Sequence, residues 1–239
     1  VYYGLLLLWV LLKGQRSVKA KKYAGYLLFF SILLFVKVPD GKLDIAMLDV
    51  GQGDCIFLKG PRGQAYLIDG GSSDVKQVGK YRIEPYLKSK GVGQLDYVFV
   101  SHGDTDHCNG ILEMLERQNM GVKIKNLVLP INYSGDEMIV ELARLARQQG
   151  VKVLCIDAGQ KVTEGDLTIC CLQPASQELE GNAGSMVLSV IFKEFEMLLT
   201  GDVEGEGEKM LVKALEQNDD NLPESYDVLK VAHHGSKNS

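Results

Sequence analysis

The chain has 239 residues, of which 46% are hydrophobic, 24% charged and 8% aromatic. This balance is typical of a folded protein and excludes disordered and collagen-like chains. The net charge of −5 is unevenly distributed, because residues 1–38 contain six of the 26 Lys and Arg side chains and none of the 31 acidic ones. Residues 39–239 therefore carry a net charge of −11. The sequence combines a basic, apolar first segment with an acidic body.

The first segment has the composition of a membrane protein. Two apolar stretches, residues 1–12 and 23–38, flank a basic stretch at residues 13–22. Each is shorter than the roughly 20 residues that span a bilayer, so a pair of buried or interfacial helices is the alternative. We favour two transmembrane helices joined by a basic loop, which form the end of a membrane region. Because basic loops face the cytoplasm, the acidic body is then extracytoplasmic, in a multi-pass protein of the cell membrane.

The body alternates short strands, glycine-rich turns and helices. The predicted elements are strands at 43–48, 54–59 and 64–69, a helix near 80–90, a strand at 95–100, a helix from about 109, a strand at 126–130, a helix within 135–149, strands at 151–156, 166–172, 186–192 and 196–201, a helix from about 203 to 216, and a strand at 227–233. This mixture predicts an α/β fold with two sheets covered by outer helices. We assign residues 43–239 to one domain, truncated at its C-terminus.

All four histidines of the chain belong to two short motifs. The first motif is VSHGDTDHCNG at residues 100–110, and the second is VAHHGS at residues 231–236. The first motif follows a predicted strand directly, so its imidazoles and carboxylates lie on the turn between that strand and the next helix. Both groups bind divalent cations, and several of them within six residues can form a dinuclear site. The alternative is a polar helix start that contains a hydrogen-bonded histidine.

These motifs resemble those of a known family. His-Gly-Asp-Thr-Asp-His at 102–107 resembles the H-x-H-x-D-H signature of the metallo-β-lactamase superfamily, with aspartate in place of the second histidine. LDVGQGD at 48–54, LLTGDVE at 198–204 and KVAHHGSKNS at 230–239 are similar to the C-terminal domain of ComEC-type DNA-internalisation competence proteins. The resemblance covers about residues 43–239. It implies a metallo-β-lactamase-like αββα sandwich preceded by transmembrane helices.

The resemblance implies two divalent metal ions in this domain. It assigns His102 and Asp104 to one metal, Asp106 and His107 to the other, and Asp202 to a position between them. Asp104, Asp106 and Asp202 are the carboxylates that it implies for catalysis.

Further residues follow from the same resemblance. Either His233 or His234 completes the second metal, and the alternation of side chains along the preceding strand places one of the two inward. Asp69 orients a ligand imidazole from behind. Asn182 and Ser185 occupy the stretch where the superfamily usually has a further histidine, and they are assigned to substrate binding.

Oxygen donors in place of histidines favour Mn²⁺, with Zn²⁺ and Mg²⁺ as alternatives. Two such ions support hydrolysis of a phosphodiester. The resemblance implies a nuclease of a DNA-uptake channel that degrades the non-transported strand during natural competence and transformation. Its partners are then single-stranded DNA, the membrane and other competence proteins. Two alternatives remain, a membrane-tethered hydrolase of another phosphoester or ester, and a catalytically idle domain that binds or gates DNA.

Overall fold

The computed structural model describes residues 2–14, 18–33, 39–174, 179, 181–216, 223 and 225–235. The chain divides into two compact units, Val1–Asp40 and Gly41–Ser239.

The first unit contains two helices, α1 (Tyr2–Lys13) and α2 (Val18–Leu33), which contact each other. The prediction of a basic loop over residues 13–22 is wrong in part, because α2 begins at Val18 and includes the following lysines. Ala and Lys are strong helix formers, so this segment continues the helix. Within the described residues, no helix combines the length and hydropathy needed to cross a membrane. The predicted transmembrane helices are not confirmed, and residues 34–38 of the second stretch lie outside the described part.

The second unit begins with a six-stranded sheet. Its strands, in spatial order, are β1 (Asp44–Met47), β2 (Ile56–Lys59), β3 (Ala65–Ile68), β4 (Gln94–Phe99), β5 (Lys123–Pro130) and β6 (Lys152–Ile156). Strands β1 to β3 form an antiparallel meander, because short glycine-rich turns connect them. Strands β3 to β6 are parallel, since helices α3 (Glu84–Ser89), α4 (Thr105–Glu116) and α5 (Glu137–Gln148) lie between them in the chain.

A second sheet has five strands. They are β7 (Lys161–Glu164), β8 (Leu167–Gln173), β9 (Val187–Phe192), β10 (Phe195–Leu199) and β11 (Val228–Lys230), in the spatial order β11-β10-β9-β8-β7. All neighbours are antiparallel except β10 and β11, which are parallel and are separated in the chain by helix α6 (Glu206–Glu216). Strand β7 was not predicted, because it is short and half of its residues are charged.

The two sheets pack face to face, and helices cover their outer faces. Alternate residues of β2, such as Ile56 and Leu58, point into the layer between the sheets, where they join Ile169 and Val190 of the second sheet. Phe57 points to the opposite face, in the core that includes residues of α4 and α5. Helix α6 contributes to a third cluster on the second sheet. This arrangement confirms the predicted αββα sandwich.

Three element boundaries differ from the predictions and shape the site. Helix α4 begins at Thr105 rather than near residue 109, because Asp104 is extended and already occupies the N-terminal capping position. Helix α6 begins at Glu206 rather than near residue 203, after Gly205 with a φ of 60°. Strand β11 ends at Lys230, since the chain then enters a turn with left-handed residues.

Candidate metal centre

The motif residues converge where strands of both sheets end. Asp69 follows β3 and His102 follows β4, so both lie at the carboxyl edge of the parallel part of the first sheet. Asp202 follows β10 and His234 follows β11, the parallel pair of the second sheet. Carboxyl ends of adjacent parallel strands meet at one edge, where ligands commonly bind. Residues more than 130 positions apart in the chain are thereby brought to one place.

Four side chains form a compact cluster at this edge. Asp54, His107, Asp202 and His234 each offer one ligand atom, and these atoms lie within 4.8 Å of one another. The Nε2 atoms of His107 and His234 lie 3.2 Å and 3.6 Å from the same oxygen, Asp202 Oδ2. Asp106 Oδ2 lies 3.3 Å from His234 Nε2. The structure therefore brings together four of the sequence-predicted ligands, Asp106, His107, Asp202 and His234, and adds Asp54.

His107 is held from behind by a buried carboxylate. Its Nδ1 lies 3.0 Å from Asp69 Oδ2, and Asp69 also accepts hydrogen bonds of 2.7 Å from the backbone N–H and the hydroxyl of Ser101. Burial lowers the pKa of His107, but Asp69 and Asp202 outweigh this effect and raise the pKa to about 10. Burial raises the pKa of Asp69, while His107 and His102 bring it below its usual value. Asp69 thus lies directly behind the His107 ring, on the side away from Asp202.

His102 and Asp104 lie beside the cluster. The His102 ring is 4.1 Å from the His107 ring, and its Nδ1 lies 3.0 Å from the Ser101 hydroxyl. Its Nε2 lies 3.6 Å from Asp104 Oδ2. The Asp104 side chain is 61% exposed, and the neighbouring His102 imidazole lowers the pKa of its carboxyl. The pair forms a second, more open position next to the four-residue cluster.

The two C-terminal histidines point to different partners. Both have left-handed backbones, with φ values of 48° for His233 and 52° for His234. The strand alternation expected from the sequence therefore does not apply to them. His233 Nδ1 lies 3.2 Å from Glu204 Oε2, whereas His234 contacts Asp106, Asp54 and Asp202. The structure places His234, and not His233, in the cluster.

Asn182 and Ser185 belong to the turn beside this centre. Asn182 lies in a short 3₁₀ helix, Gly181–Gly184, and its carbonyl accepts a hydrogen bond from the Ser185 N–H. The Ser185 side chain is fully buried, and its hydroxyl has no hydrogen-bond partner among the described residues. Gly181 and Gly184 line a pocket of about 290 Å³, together with His102. Within the described ranges, no hydrogen bond joins the Ser185 hydroxyl to the four-residue cluster.

Two residues of the centre were missed by the sequence analysis, Asp54 and Lys230. The Lys230 ammonium contacts the Asp54 carboxylate and lies 3.0 Å from Asp202 Oδ1. Burial lowers the pKa of Lys230, but the two carboxylates raise it above its usual value. Burial raises the pKa of Asp202, while His107 and Lys230 together bring it far below its usual range.

Asp54 could have been predicted from the sequence, because it ends the glycine-rich LDVGQGD motif. The only signal for Lys230 is a charge within an otherwise apolar strand.

The donor set fits a divalent metal ion. Imidazole nitrogens and carboxylate oxygens are ligands for Mn²⁺, Zn²⁺ and related cations. In addition, the buried His102 Nε2 has no hydrogen-bond partner among the residues that the structure describes. A buried nitrogen without a partner needs an explanation, and ligation of a cation supplies one.

Comparison with known proteins agrees with this chemistry. Residues 48–239 match the model of the metallo-beta-lactamase superfamily. ComE operon protein 3 of Bacillus subtilis (strain 168) is 32% identical over 214 residues, which are 84% of this chain and 26% of that protein. Recombination protein 2 of Haemophilus influenzae is 29% identical over 234 residues, 96% of this chain and 26% of that protein. Competence protein ComA of Neisseria gonorrhoeae is 28% identical over 203 residues, 84% of this chain and 25% of that protein.

The chain thus spans about a quarter of the length of these relatives. Among solved structures, CmlA, a diiron beta-hydroxylase from Streptomyces venezuelae, is similar with a TM-score of 0.50 and 17% identity over 90% of this chain and 37% of that one. This likeness concerns the fold alone. The predicted similarity to ComEC-type competence proteins is confirmed. With most of its second unit matched, the chain belongs to the metallo-β-lactamase superfamily.

Proposed function

We propose that the chain carries the nuclease domain of a membrane DNA-uptake channel. In this function it is a metal-dependent phosphodiester hydrolase that degrades the non-transported DNA strand during natural competence. The observation that carries the proposal is the convergence of Asp106, His107, Asp202 and His234 at one edge of the sandwich. The names of two relatives, Competence protein ComA and ComE operon protein 3, support the assignment to DNA uptake.

In our proposal, the donor atoms at this edge hold two divalent ions. Asp106, His107, Asp202 and His234 would hold one ion, and the neighbouring pair of His102 and Asp104 would hold the other, next to Asp202. This set contains three carboxylates and three imidazoles, and this share of oxygen donors supports Mn²⁺ ahead of Zn²⁺ and Mg²⁺ in our proposal.

When bound, divalent ions activate water and stabilise negative charge on the phosphoryl oxygens. The chain's own residues prepare the site for this chemistry. Asp69 fixes the His107 ring so that Nε2 faces Asp202. Asp202 is 2% exposed and is held away from bulk water, whereas the Asp104 carboxylate is open to it. Asp104 is therefore the most solvent-exposed of the three proposed catalytic carboxylates.

The substrate side of the centre is the pocket beside His102. Its lining includes Tyr133 and Asp136 from one wall and the Gly181–Gly184 turn from the other. We assign Asn182 and Ser185 to substrate binding because they belong to this turn or directly follow it. A single DNA strand is the proposed substrate.

The proposed location is the extracytoplasmic face of the cell membrane, next to a multi-pass membrane region. It is supported by the apolar stretches at residues 1–12 and 23–38 and the basic stretch at 13–22. Other competence and DNA-uptake proteins are the proposed partners.

The test uses the full chain and end-labelled single-stranded DNA. Metal content is measured by mass spectrometry, and cleavage is measured with Mn²⁺ and after its removal by EDTA. We expect Mn²⁺-dependent cleavage that an Asp104→Ala/His107→Ala variant lacks. His233→Ala is the matched control, because this ring contacts Glu204 outside the cluster.

Each other outcome contradicts the proposal in a specific way. Cleavage that persists in the double variant would remove these residues from the chemistry. Tight metal binding without cleavage of any ester would favour a domain that only binds or gates DNA. Hydrolysis of a small phosphodiester or ester without cleavage of DNA would favour a membrane-tethered hydrolase with another substrate.

A further inference from the structure

Lys230 places a positive charge inside the candidate metal centre. Its side chain is 10% exposed. The ammonium contacts the Asp54 carboxylate and lies 3.0 Å from Asp202 Oδ1 and 2.6 Å from the Gly201 carbonyl. The ammonium donates hydrogen bonds to Asp202 Oδ1 and to the Gly201 carbonyl, and Asp54 adds an ion-pair contact. Lys230 is thus a nearly buried cation held by two carboxylates and a carbonyl, and not a surface side chain that happens to lie nearby.

The backbone fixes this position. Lys230 is the last residue of β11 and pairs with Leu199, the last residue of β10. Directly after Leu199, the Thr200 hydroxyl donates a hydrogen bond of 2.7 Å to the Lys230 carbonyl. The sheet therefore holds Lys230 next to the turn that carries Asp202, and the Lys230 side chain points toward that turn.

The two oxygens of Asp202 have different partners. Oδ1 faces Lys230, whereas Oδ2 faces the Nε2 atoms of His107 and His234. Asp54 Oδ2 contacts Lys230 and also lies 3.8 Å from His107 Nδ1, while Oδ1 lies 3.7 Å from His234 Nδ1, so the ion pair with Lys230 is the shortest contact of this carboxylate. The space between Asp54 and Asp202 is thus already filled by a cation, and the opposite side of Asp202 is left to the imidazoles.

We propose that Lys230 is a built-in counter-cation that closes the Asp54 side of the centre to metal ions and confines them to the side of Asp202 Oδ2. Asp54 is then the partner of this lysine and not a metal ligand. Two like charges a few ångströms apart repel each other strongly in a poorly solvated site, so a divalent ion and the ammonium exclude each other from this space. The inference rests on the proposed function only for the presence of metal ions.

The experiment counts bound Mn²⁺ per chain and does not require DNA cleavage. Protein equilibrated with Mn²⁺ is analysed by mass spectrometry, and free Mn²⁺ is titrated by electron paramagnetic resonance. We expect Lys230→Met, which has similar length and no charge, to bind one more Mn²⁺ per chain than the wild type. Without the ammonium, the Asp54 and Asp202 oxygens that faced it become available as carboxylate ligands, which suit Mn²⁺. Lys230→Arg retains the charge and is expected to retain the wild-type count.

Two control variants test whether a change in the number of bound Mn²⁺ ions is specific to this site or follows from any loss of positive charge. Lys88→Met removes a lysine from another buried carboxylate, Glu84, at 2.7 Å, and should leave the count unchanged. An Asp54→Asn/Lys230→Met variant removes both partners and should return the count to that of the wild type.

A further variant covers the case in which Lys230→Met does not fold. Asp54→Asn retains the lysine and should bind as many Mn²⁺ ions as the wild type, since Asp54 is not a ligand. Loss of an ion in Asp54→Asn, or an unchanged count in folded Lys230→Met, overturns the inference. If the wild type binds no metal, both this inference and the proposed function fail. If every variant binds as many Mn²⁺ ions as the wild type and no DNA is cleaved, both the nuclease and the counter-cation are rejected. If the variants bind the expected numbers of Mn²⁺ ions but no DNA is cleaved, only the nuclease is rejected.

Discussion

Asp69 Oδ2 lies 3.0 Å from His107 Nδ1, while the other ring nitrogen of His107 faces Asp202. This relationship fixes both the tautomer and the direction of a candidate metal ligand. Carboxylates that support a metal-binding histidine typically contribute a factor of about 10–100 to metal affinity. We therefore expect Asp69→Asn to weaken Mn²⁺ binding by about that factor, measured by titration with electron paramagnetic resonance. Asp166→Asn, at an exposed position, is the control and should bind Mn²⁺ like the wild type.

Mn²⁺ binding should stabilise the fold through His234. A ligand that binds only the native state at 100 times its dissociation constant adds about 2.7 kcal/mol to the free energy of unfolding. We expect EDTA to lower Tm and Mn²⁺ to restore it. His234→Ala should abolish most of this increase in Tm, whereas His233→Ala should retain it, as measured by differential scanning fluorimetry. Equal losses in the two variants would contradict the assignment of His234 to the cluster.

The metal-free protein should lose stability at alkaline pH. The pKa of His107 rises from 6.5 to about 10 in the folded state, because Asp69 and Asp202 face its two nitrogens. A raised folded-state pKa contributes stability that is fully present below pH 6.5 and is lost as the pH rises through about 10. We expect the free energy of unfolding, measured by urea denaturation in EDTA, to decrease as the pH rises from 6.5 to about 10. His107→Gln should flatten that part of the profile, and an equally steep profile would contradict the role of this ion pair.

A buried carboxylate links the two sheets far from the metal centre. Glu164 of β7 accepts hydrogen bonds from the backbone N–H groups of Arg62 and Gln64, at 2.8 Å and 3.0 Å, and from the Tyr66 hydroxyl at 3.0 Å. Glu164→Ala leaves these donors without a partner, which should cost about 3 kcal/mol in urea unfolding. Cleavage activity at a temperature below the lowered Tm should stay unchanged. Glu194→Ala, at an exposed turn, should change the free energy of unfolding very little.

Local patterns predicted most of the strands and helices of the second unit, because apolar periodicity and glycine-rich turns are encoded in neighbouring residues. Strand β7 is too short and too polar to produce such a pattern. In the site, the spacing within residues 102–107 predicted candidate ligands on one turn, and the structure places Asp106 and His107 of that turn in or next to the cluster. The choice between His233 and His234 depended instead on two left-handed residues, which strand periodicity does not predict.

Asp54 and Lys230 show a different limit of sequence reasoning. They lie 176 positions apart, Asp54 in the turn before β2 and Lys230 at the end of β11, and they meet because the sandwich brings these two ends together. A lone charge in a strand does not reveal which distant partner it will contact. Such contacts depend on tertiary packing and were therefore found only in the structure.

Strand β11 has three residues and lies at the edge of its sheet, and His234 follows it within a single turn. Short edge strands open more easily than central ones, so amide exchange is usually fast there. If His234 binds a metal ion, as we propose, release of that ion would require local opening of this strand. The rate at which this centre gives up an ion should then follow the opening rate of β11, and a bound ion should slow amide exchange there more than in β9, at the centre of the same sheet.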